Sequence, residues 1–447
     1  MTEPAPKESD NLPDNALETR KIAMQLMQTV FDKNQPLDQA FDNSNGFISL
    51  KDARDRGFVK MLVTTTVRRL GQIDDLIRRA QSKQGQEISP PALHNILRLG
   101  VCQLIFMDVP SYAAVNTMVT LAGDSGLSRQ KAFVNAMLRK ISRAGKEWTT
   151  KQDIPRLNTP EWILAKWIED YGIRNAVEIA QANMDESPLD LTIKNEADLD
   201  YWEKNLGGTT LPTNTVRVEA GGRIDQISGF AEGHWWVQDA SAAIPAKLFG
   251  DLTGKKVVDL CAAPGGKTAQ LVTQGAEVIA LDRSARRIVR FNENMERLGV
   301  KDKVVTEAAD AGVWMPREPL DAVLLDAPFT ATGTLRKRPD VAWLKHPKDL
   351  ESLANTQARL LENASGMLKS GGILIYCTCS LFKDEGENQI DAFLSAHPDY
   401  SRSPICSEEI GGMSEMIDVN GDLRILPFHL ATNGGMDGFY VARLVKA

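Results

Sequence analysis

The sequence predicts a multidomain protein: an all-α domain, then a small α+β module, then an α/β domain with a doubly wound, mostly parallel sheet. Three observations predict it. Between residues 20 and 142 apolar side chains recur at three- and four-residue spacing, and no strand signal interrupts them. From Lys255 onward, short apolar runs alternate with helical patterns at βαβ spacing. The stretch 257–271, VVDLCAAPGGKTAQL, joins an apolar run, a Pro-Gly-Gly break and a helix start. A strand, a glycine turn and a helix N-terminus make a nucleotide-type site, because glycine lets backbone approach a ligand and the first helical turn has free N–H groups.

Composition narrows the class. The chain has 447 residues, enough for two or three domains, with 43% hydrophobic and 25% charged residues, as in globular proteins. It contains no apolar run long enough to span a membrane and no signal-peptide pattern. Cys102, Cys261, Cys377, Cys379 and Cys406 are scattered and odd in number, which argues against a disulfide framework and for a reducing, cytoplasmic setting. The five histidines are equally dispersed, so no metal site is expected. Net charge is −7, but residues 1–150 hold 20 Lys+Arg against 16 Asp+Glu, a local +4, which leaves −11 for the rest. A locally basic first part on an acidic protein permits RNA binding through a patch.

In chain order, residues 1–15 are polar and proline-bearing and are expected to be a disordered tail. Helical periodicity follows at Ile22, Leu26, Met27, Val30 and Phe31, at Phe58, Leu62, Val67 and Leu70, and at Ile73, Leu76 and Ile77. Residues 93–106 fit a buried helix, and 113–122 and 131–142 complete the all-α domain, assigned to 16–145. Residues 144–152 read as a linker. Helix is expected over 160–172 with Trp162 and Trp167 on one face, and strands over 189–193 and 215–218, within a module assigned to 146–230. In 234–243, HWWVQDASAA, Gln238 and Asp239 are expected to open a helix over the ligand, although Asp239 also reads as a simple N-cap.

The α/β domain is assigned to 231–447. Its strands are expected at 256–260, 277–282, 303–309, 321–327 and 372–378, and its helices at 266–274, 284–298, 350–368 and 385–396. The turn 433–437 between 423–430 and 438–444 predicts a terminal β-hairpin. Ligands of such sheets bind at the carboxyl ends of the strands, where four acids stand in succession: Asp259, Asp282, Asp310 and Asp326. Asp282, 16 residues past Gly266, suits two ribose hydroxyls, and Asp310 suits an adenine amino group. Each acid alone could equally cap the next helix. A Walker loop is excluded because Cys261 stands where that motif needs glycine. After the last parallel strand, Cys379 in Thr378-Cys379-Ser380 is either a nucleophile or inert packing.

Two resemblances complete the reading. The stretches LRLGVCQLIFMDVPSYAAVN (97–116) and KAFVNAMLRKI (131–141) resemble the NusB-type helical RNA-binding domain. Phe133, Val134 and Leu138 are then expected in its core, Asn116 and Asn135 in caps or helix–helix bonds, and Arg68, Arg69, Arg78 and Arg79 as candidate phosphate contacts. CAAPGGKT (261–268), DAP (326–328), TGTLRKRPD (332–340) and TCS (378–380) resemble the RNA cytosine-5 methyltransferases of the Sun/Fmu and Nop2/NSUN family, over roughly 230–447. That resemblance implies a class I, Rossmann-like domain that methylates cytosine C5 in RNA with S-adenosyl-L-methionine (AdoMet), 16S ribosomal RNA being the expected substrate. It implies that Cys379 adds to C6, that Asp326 orients the base and stabilises the adduct, and that AdoMet lies on Cys261, Ala262, Ala263, Pro264, Gly265, Gly266, Lys267, Asp282, Asp310 and Asp326. Arg336, Lys337 and Arg338 would grip RNA phosphate, and the target base would be single-stranded or flipped out. One position departs from the pattern: Phe329 stands where the family has a second cysteine, implicated in product release. A catalytically silent RNA-binding or assembly factor that retains the AdoMet fold is the alternative.

Overall fold

A computed structural model describes residues 15–83, 85–219 and 221–447. The expected tail over 1–15 lies, Asn15 apart, outside the described residues. The chain forms two compact units. One runs to Leu164 and also takes in Arg338–Leu344; the other holds Ala165–Lys337 and Lys345–Ala447.

The first unit is helical among its described residues. Its main helices are Ala16–Asp32, Ala53–Arg68, Leu70–Ala80, Pro91–Ile105, Ser111–Asp124 and Lys131–Thr149. The apolar positions read from periodicity pack inward: Ile22, Leu62, Ile73, Leu97 and Leu138 are buried in one core. Two short helices, Leu37–Asp42 and Asn45–Ser49, escaped the periodicity because each is under two turns. Residues 144–152 are not a linker: the helix continues to Thr149. Gly145 is buried there because a Cβ would lie 2.6 Å from Ile105 Cδ1. Glycine allows this approach, so it acts as a packing residue and not a breaker.

Segment Arg338–Leu344 completes this unit. Buried Asp340 accepts a hydrogen bond from the Leu37 backbone N–H at 2.9 Å, and Trp343 Nε1 donates to Val67 O at 3.1 Å. Phe133, expected in the core, is 39% exposed; its neighbour Val134 takes the inward position. Arg68 is buried, and Arg78 and Arg79 both pair with Asp75. Asn135 accepts from Arg139 Nε one turn on, at 2.9 Å, so its bond is within the helix.

The second unit begins within the helix Glu161–Ala182, which extends ten residues past the expected 172 across a break at Gly172, φ 77°. Trp167 is fully buried; Trp162 is only partly so. A four-stranded antiparallel sheet follows, built from β1 (Leu189–Ile193), β2 (Thr209–Thr210), β3 (Thr215–Val218) and β4 (Trp235–Val237) in the order β2-β3-β1-β4. The helix Leu199–Leu206 covers it through buried Trp202.

The larger sheet contains β5 (Lys256–Leu260), β6 (Glu277–Asp282), β7 (Val304–Ala308), β8 (Leu320–Asp326), β9 (Leu368–Thr378), β10 (Tyr400–Arg402), β11 (Leu423–Ile425) and β12 (Phe439–Lys446). Its order is β10-β12-β9-β8-β5-β6-β7, with β11 against β12. The β5–β6, β6–β7, β5–β8 and β8–β9 pairs are parallel, while β12 runs antiparallel to β9. Continuous burial along β5 and β8 explains their unbroken apolar runs, since a parallel sheet is covered on both faces. The predicted terminal hairpin is β11–β12. The sheet thus brings the ends of β5, β6, β8 and β9 to one edge.

Candidate active site

The glycine turn after β5 is shaped for close approach. Gly265 takes φ 110° as the N-cap of the helix Gly266–Thr273 and supplies no side-chain cap, so the first-turn N–H groups have no partner from that residue. A Cβ on it would meet Met295 Cε at 2.7 Å and the Phe291 ring at 3.0 Å, so only glycine fits. The rest of the turn is tied down from the β6 side. Ala262 N–H donates to Leu281 O at 2.7 Å, Asn294 Nδ2 donates to Pro264 O at 3.0 Å, and Arg287 bonds Ala263 O.

Three of the four acids converge. Asp259, 1% exposed, accepts from Thr268 Oγ1 at 2.5 Å, and its other oxygen is buried without a hydrogen-bond partner. Burial, reinforced by Asp326 and Asp282 and opposed by Thr268, pushes its carboxyl up to about 7. Asp282, also buried, accepts from Ser284 N–H at 2.9 Å and pairs with half-exposed Arg287 at 2.9 Å. Asp326 pairs with Lys267 at 2.8 Å, and the Cys377 thiol reaches its other oxygen at 3.6 Å. Burial opposes the charge on Lys267, but Asp326 wins and raises it above the ordinary lysine range. Asp310 stands apart in solvent contact: it accepts from Gly312 N–H at 2.8 Å and pairs with Arg359 at 3.2 Å.

Cys379 follows β9 and is half-buried. Burial raises its thiol well above the ordinary range, and Lys267 pulls it back against the influence of Asp326, Asp437 and Asp239. Its carbonyl accepts from Gly333 N–H at 3.0 Å, and Gly333 O accepts from Gly438 N–H at 2.8 Å. A Cβ on Gly333 would lie 2.1 Å from Gly438 O, which fixes glycine in the TGT motif.

The three cations expected on phosphate differ in their surroundings. Arg336 is 3% exposed, and Lys337 bridges Asp239 and Asp437, the latter at 2.9 Å. Asp437 is pushed up to about 7 by burial and by Asp239, against Lys337; Asp239, for all its burial, is held below the usual carboxylate range by Lys337. Arg338, in the helical unit, keeps 40% side-chain exposure and faces Asp38. Asp239 is therefore an ion-pair partner as well as a turn residue, accepting from Ser241 N–H at 2.9 Å. The helix expected from Gln238 begins only at Ile244.

Two side chains escaped the sequence reading. Asp437 was absorbed into the hairpin turn, and its one signal is its place directly before the strand opening Gly438-Phe439. Glu385, fully buried, accepts from Thr330 N–H at 2.9 Å and Thr330 Oγ1 at 2.5 Å, from Gln357 at 3.0 Å and from Ser380. It had no signal, since a glutamate in Lys383–Glu385 looks like an ordinary surface turn. Among the described residues no cluster could hold a metal ion, and no helix is long and apolar enough to cross a membrane.

The family model for 16S rRNA methyltransferase RsmB/F matches residues 250–445, and that of the NusB family matches 17–143. A probable ribosomal RNA small subunit methyltransferase B from Synechocystis is 33% identical over 96% of this chain and 100% of its own length. The chain belongs to the RsmB/F family of rRNA methyltransferases. This family uses AdoMet as its methyl donor. A ribosomal RNA small subunit methyltransferase B from Klebsiella pneumoniae, 31% identical over 96% of this chain and 98% of that one, is a further relative. Among solved structures, PH0851 superposes with a TM-score of 0.74 at 23% identity, covering 98% of this chain and 99% of that one, which shows the shared fold. A methyltransferase homolog from Pyrococcus horikoshii gives 0.52 at 25% identity over 63% of this chain and 94% of its own. The expected fold, a NusB-type helical domain ahead of a Rossmann-like methyltransferase domain, is thereby borne out.

Proposed function

We infer that this RsmB/F-family chain methylates cytosine C5 in 16S rRNA through a covalent bond between Cys379 Sγ and C6 of the base. The observation that carries the reading is the placement of Cys379 at the β9 end, in the field of the Lys267–Asp326 pair. The residues fit AdoMet. The uncapped N-terminus of Gly266–Thr273 suits the carboxylate of its methionine part, and the unpartnered oxygen of Asp259 suits its ammonium. Asp282 would take the ribose hydroxyls once Arg287 swings aside, and Asp310, now paired with Arg359, would accept from the adenine amino group. Bound AdoMet supplies an electrophilic methyl group.

The chain's own residues do the rest. Cytosine C5 is a weak nucleophile. Bonding of Sγ to C6 turns C5 into an enamine-like carbon, while the thiol proton passes to a neighbouring carboxylate or to water. Lys267 favours the thiolate and holds Asp326 in place beside it. Asp326 would orient the base. After C5 takes the methyl, water takes the C5 proton, the C5–C6 double bond re-forms, and the C6–Sγ bond breaks to release Cys379 as thiolate. Thr330 is a poor acceptor for that proton, since its side chain is fully buried and a hydroxyl is a weak base. Of the three cations expected on phosphate, Arg336 is buried, while Lys337 and Arg338 keep side-chain exposures of 35% and 40%.

Phe329, half-buried in place of the family's second thiol, is the observation that favours a silent assembly factor. One experiment separates the readings. Protein-free 16S rRNA with labelled AdoMet should give methylation at cytosine C5 and, on denaturing gels, an adduct lost in Cys379→Ala. Methylation that survives Cys379→Ala overturns the nucleophile assignment. Neither methylation nor adduct with the wild type favours the silent factor.

A further inference from the structure

The helix Ala285–Arg297 leaves the carboxyl end of β6, at the sheet edge where Asp282, Asp326 and Cys379 stand. Its start carries the wrong sign of charge. The N-terminus is the positive end of a helix macrodipole and favours acids. Pro347–Ser365 and Glu387–Ala396 conform, with Asp349 and Glu387 in their first turns. Ala285–Arg297 has no acid in its first turn, and Arg283, Arg286, Arg287 and Arg290, all exposed, crowd its beginning.

Two of these arginines are engaged. Arg287 pairs with Asp282 at 2.9 Å and bonds Ala263 O, and Arg283 lies in the field of Asp310. Arg286 and Arg290 make no ion pair or hydrogen bond among the described residues. Four positions apart, they share one face of the helix, about 6 Å apart along its axis, and like charges at that spacing repel. Glu293, one turn further on, pairs with neither. The helix forms in spite of them, capped by Ser284 Oγ, which accepts from Arg287 N–H at 3.3 Å. A local conflict of this kind, without a compensating contact inside the protein, marks a functional surface. Gly266–Thr273 at the same edge also opens with a cation and no acid, and that cation is Lys267 of the Asp326 pair.

An extended polyanion relieves the conflict. A single small anion would satisfy one guanidinium, whereas two arginines one turn apart call for repeated charge. RNA backbone supplies it, and an arginine fork matches phosphate oxygens. We propose that Arg286 and Arg290 hold backbone phosphates of the RNA substrate beside the AdoMet turn. The proposal rests on RNA being the substrate. Its test reads binding, so it stands or falls separately from methyl transfer.

Full-length wild type and Arg286→Gln/Arg290→Gln would be titrated with protein-free 16S rRNA by filter binding, between about 50 and 200 mM salt. Each lost phosphate contact takes about 0.7–0.9 from the slope of log K against log salt, so the slope should become shallower by about 1.4–1.8. Lys255→Gln/Lys256→Gln removes the same charge from the start of β5, at the opposite edge of the sheet, and should keep the wild-type slope. The urea midpoint of Arg286→Gln/Arg290→Gln should equal or exceed that of wild type, since the lost charges oppose the helix.

A wild-type slope in Arg286→Gln/Arg290→Gln overturns the proposal. An equal change in Lys255→Gln/Lys256→Gln also overturns it, by marking an effect of net charge alone. So does a lowered urea midpoint, which marks the arginines as structural. Wild type that fails to bind 16S rRNA rejects the RNA reading and the proposal together. The expected slope change alongside absent cytosine methylation leaves the phosphate contacts standing and rejects the reaction instead.

Discussion

Two lysines stand near Cys379, and they differ instructively. Lys267 has one carboxylate, Asp326, whose side chain is 23% exposed, and its ammonium also lies 5.2 Å from the Phe439 ring centre. Lys337 has two carboxylates, Asp239 and Asp437, each with side chains 5% exposed. The first pair is left with an open side and one spare oxygen near a thiol. The second gives its cation two buried carboxylates, leaves the lysine side chain 35% exposed, and ties three distant segments together. The same residue types are thus arranged differently in the two places, and what separates them is how many partners each cation has and how deeply those carboxylates are buried.

Swapping each lysine for methionine sharpens the contrast. Lys337→Met leaves two buried acids without their cation and should cost more stability than the loss of Lys267, yet less than the about 3–5 kcal/mol of a fully buried pair, because its side chain is 35% exposed; urea unfolding measures it. Lys267→Met should cost less stability, because water can reach Asp326, yet lower methyl transfer by at least about 100-fold, as loss of a positioned charge does. Equal stability losses would erase the distinction. Gly265→Ala should cost about 1–3 kcal/mol from its positive φ and weaken AdoMet binding, which calorimetry reads.

A smaller effect concerns pH. Folded Asp259, pushed up to about 7, keeps a proton that the unfolded chain has already released above its ordinary value near 4. The unfolded state then binds fewer protons, so stability falls as pH rises through that window. Relative to wild type, Asp259→Asn should therefore gain stability as pH rises from 4 to 7. A stability difference between wild type and Asp259→Asn that stays constant from pH 4 to pH 7 removes the buried, proton-holding carboxyl. The smallest change expected is Phe329→Cys: stability within about 1–3 kcal/mol of wild type, and faster product release where the family's second thiol carries over, read as steady-state turnover against a single-turnover burst.

The contrast also explains what the sequence could show. The strand ends with Asp259, Asp282 and Asp326 were legible because a doubly covered parallel sheet needs unbroken apolar runs, and acids at their ends stand out. The pairing of Lys337 was not legible, since its partners lie 98 and 100 residues away and a lysine in Arg336-Lys337-Arg338 looks like any charged surface run. Phe133 misled for the opposite reason: an aromatic residue beside Val134 in an apolar stretch reads as core, and one step of 100° around the helix turns it outward. Gly145 misled because a glycine late in a helix has two meanings, and only the approach of Ile105 decides between them.

The segment Arg338–Leu344 has a consequence in time. The helical unit is synthesised as far as Leu164, but its last piece, with Asp340 and Trp343, emerges only after a further 180 residues (344 − 164). At roughly 5–20 residues per second, that is a delay of about 9–36 seconds on the ribosome. During that interval Leu37 lacks the Asp340 acceptor for its N–H, and Val67 O lacks the Trp343 indole. The nascent helices must therefore hold together incomplete, or be held by a chaperone, until the later chain arrives to finish them.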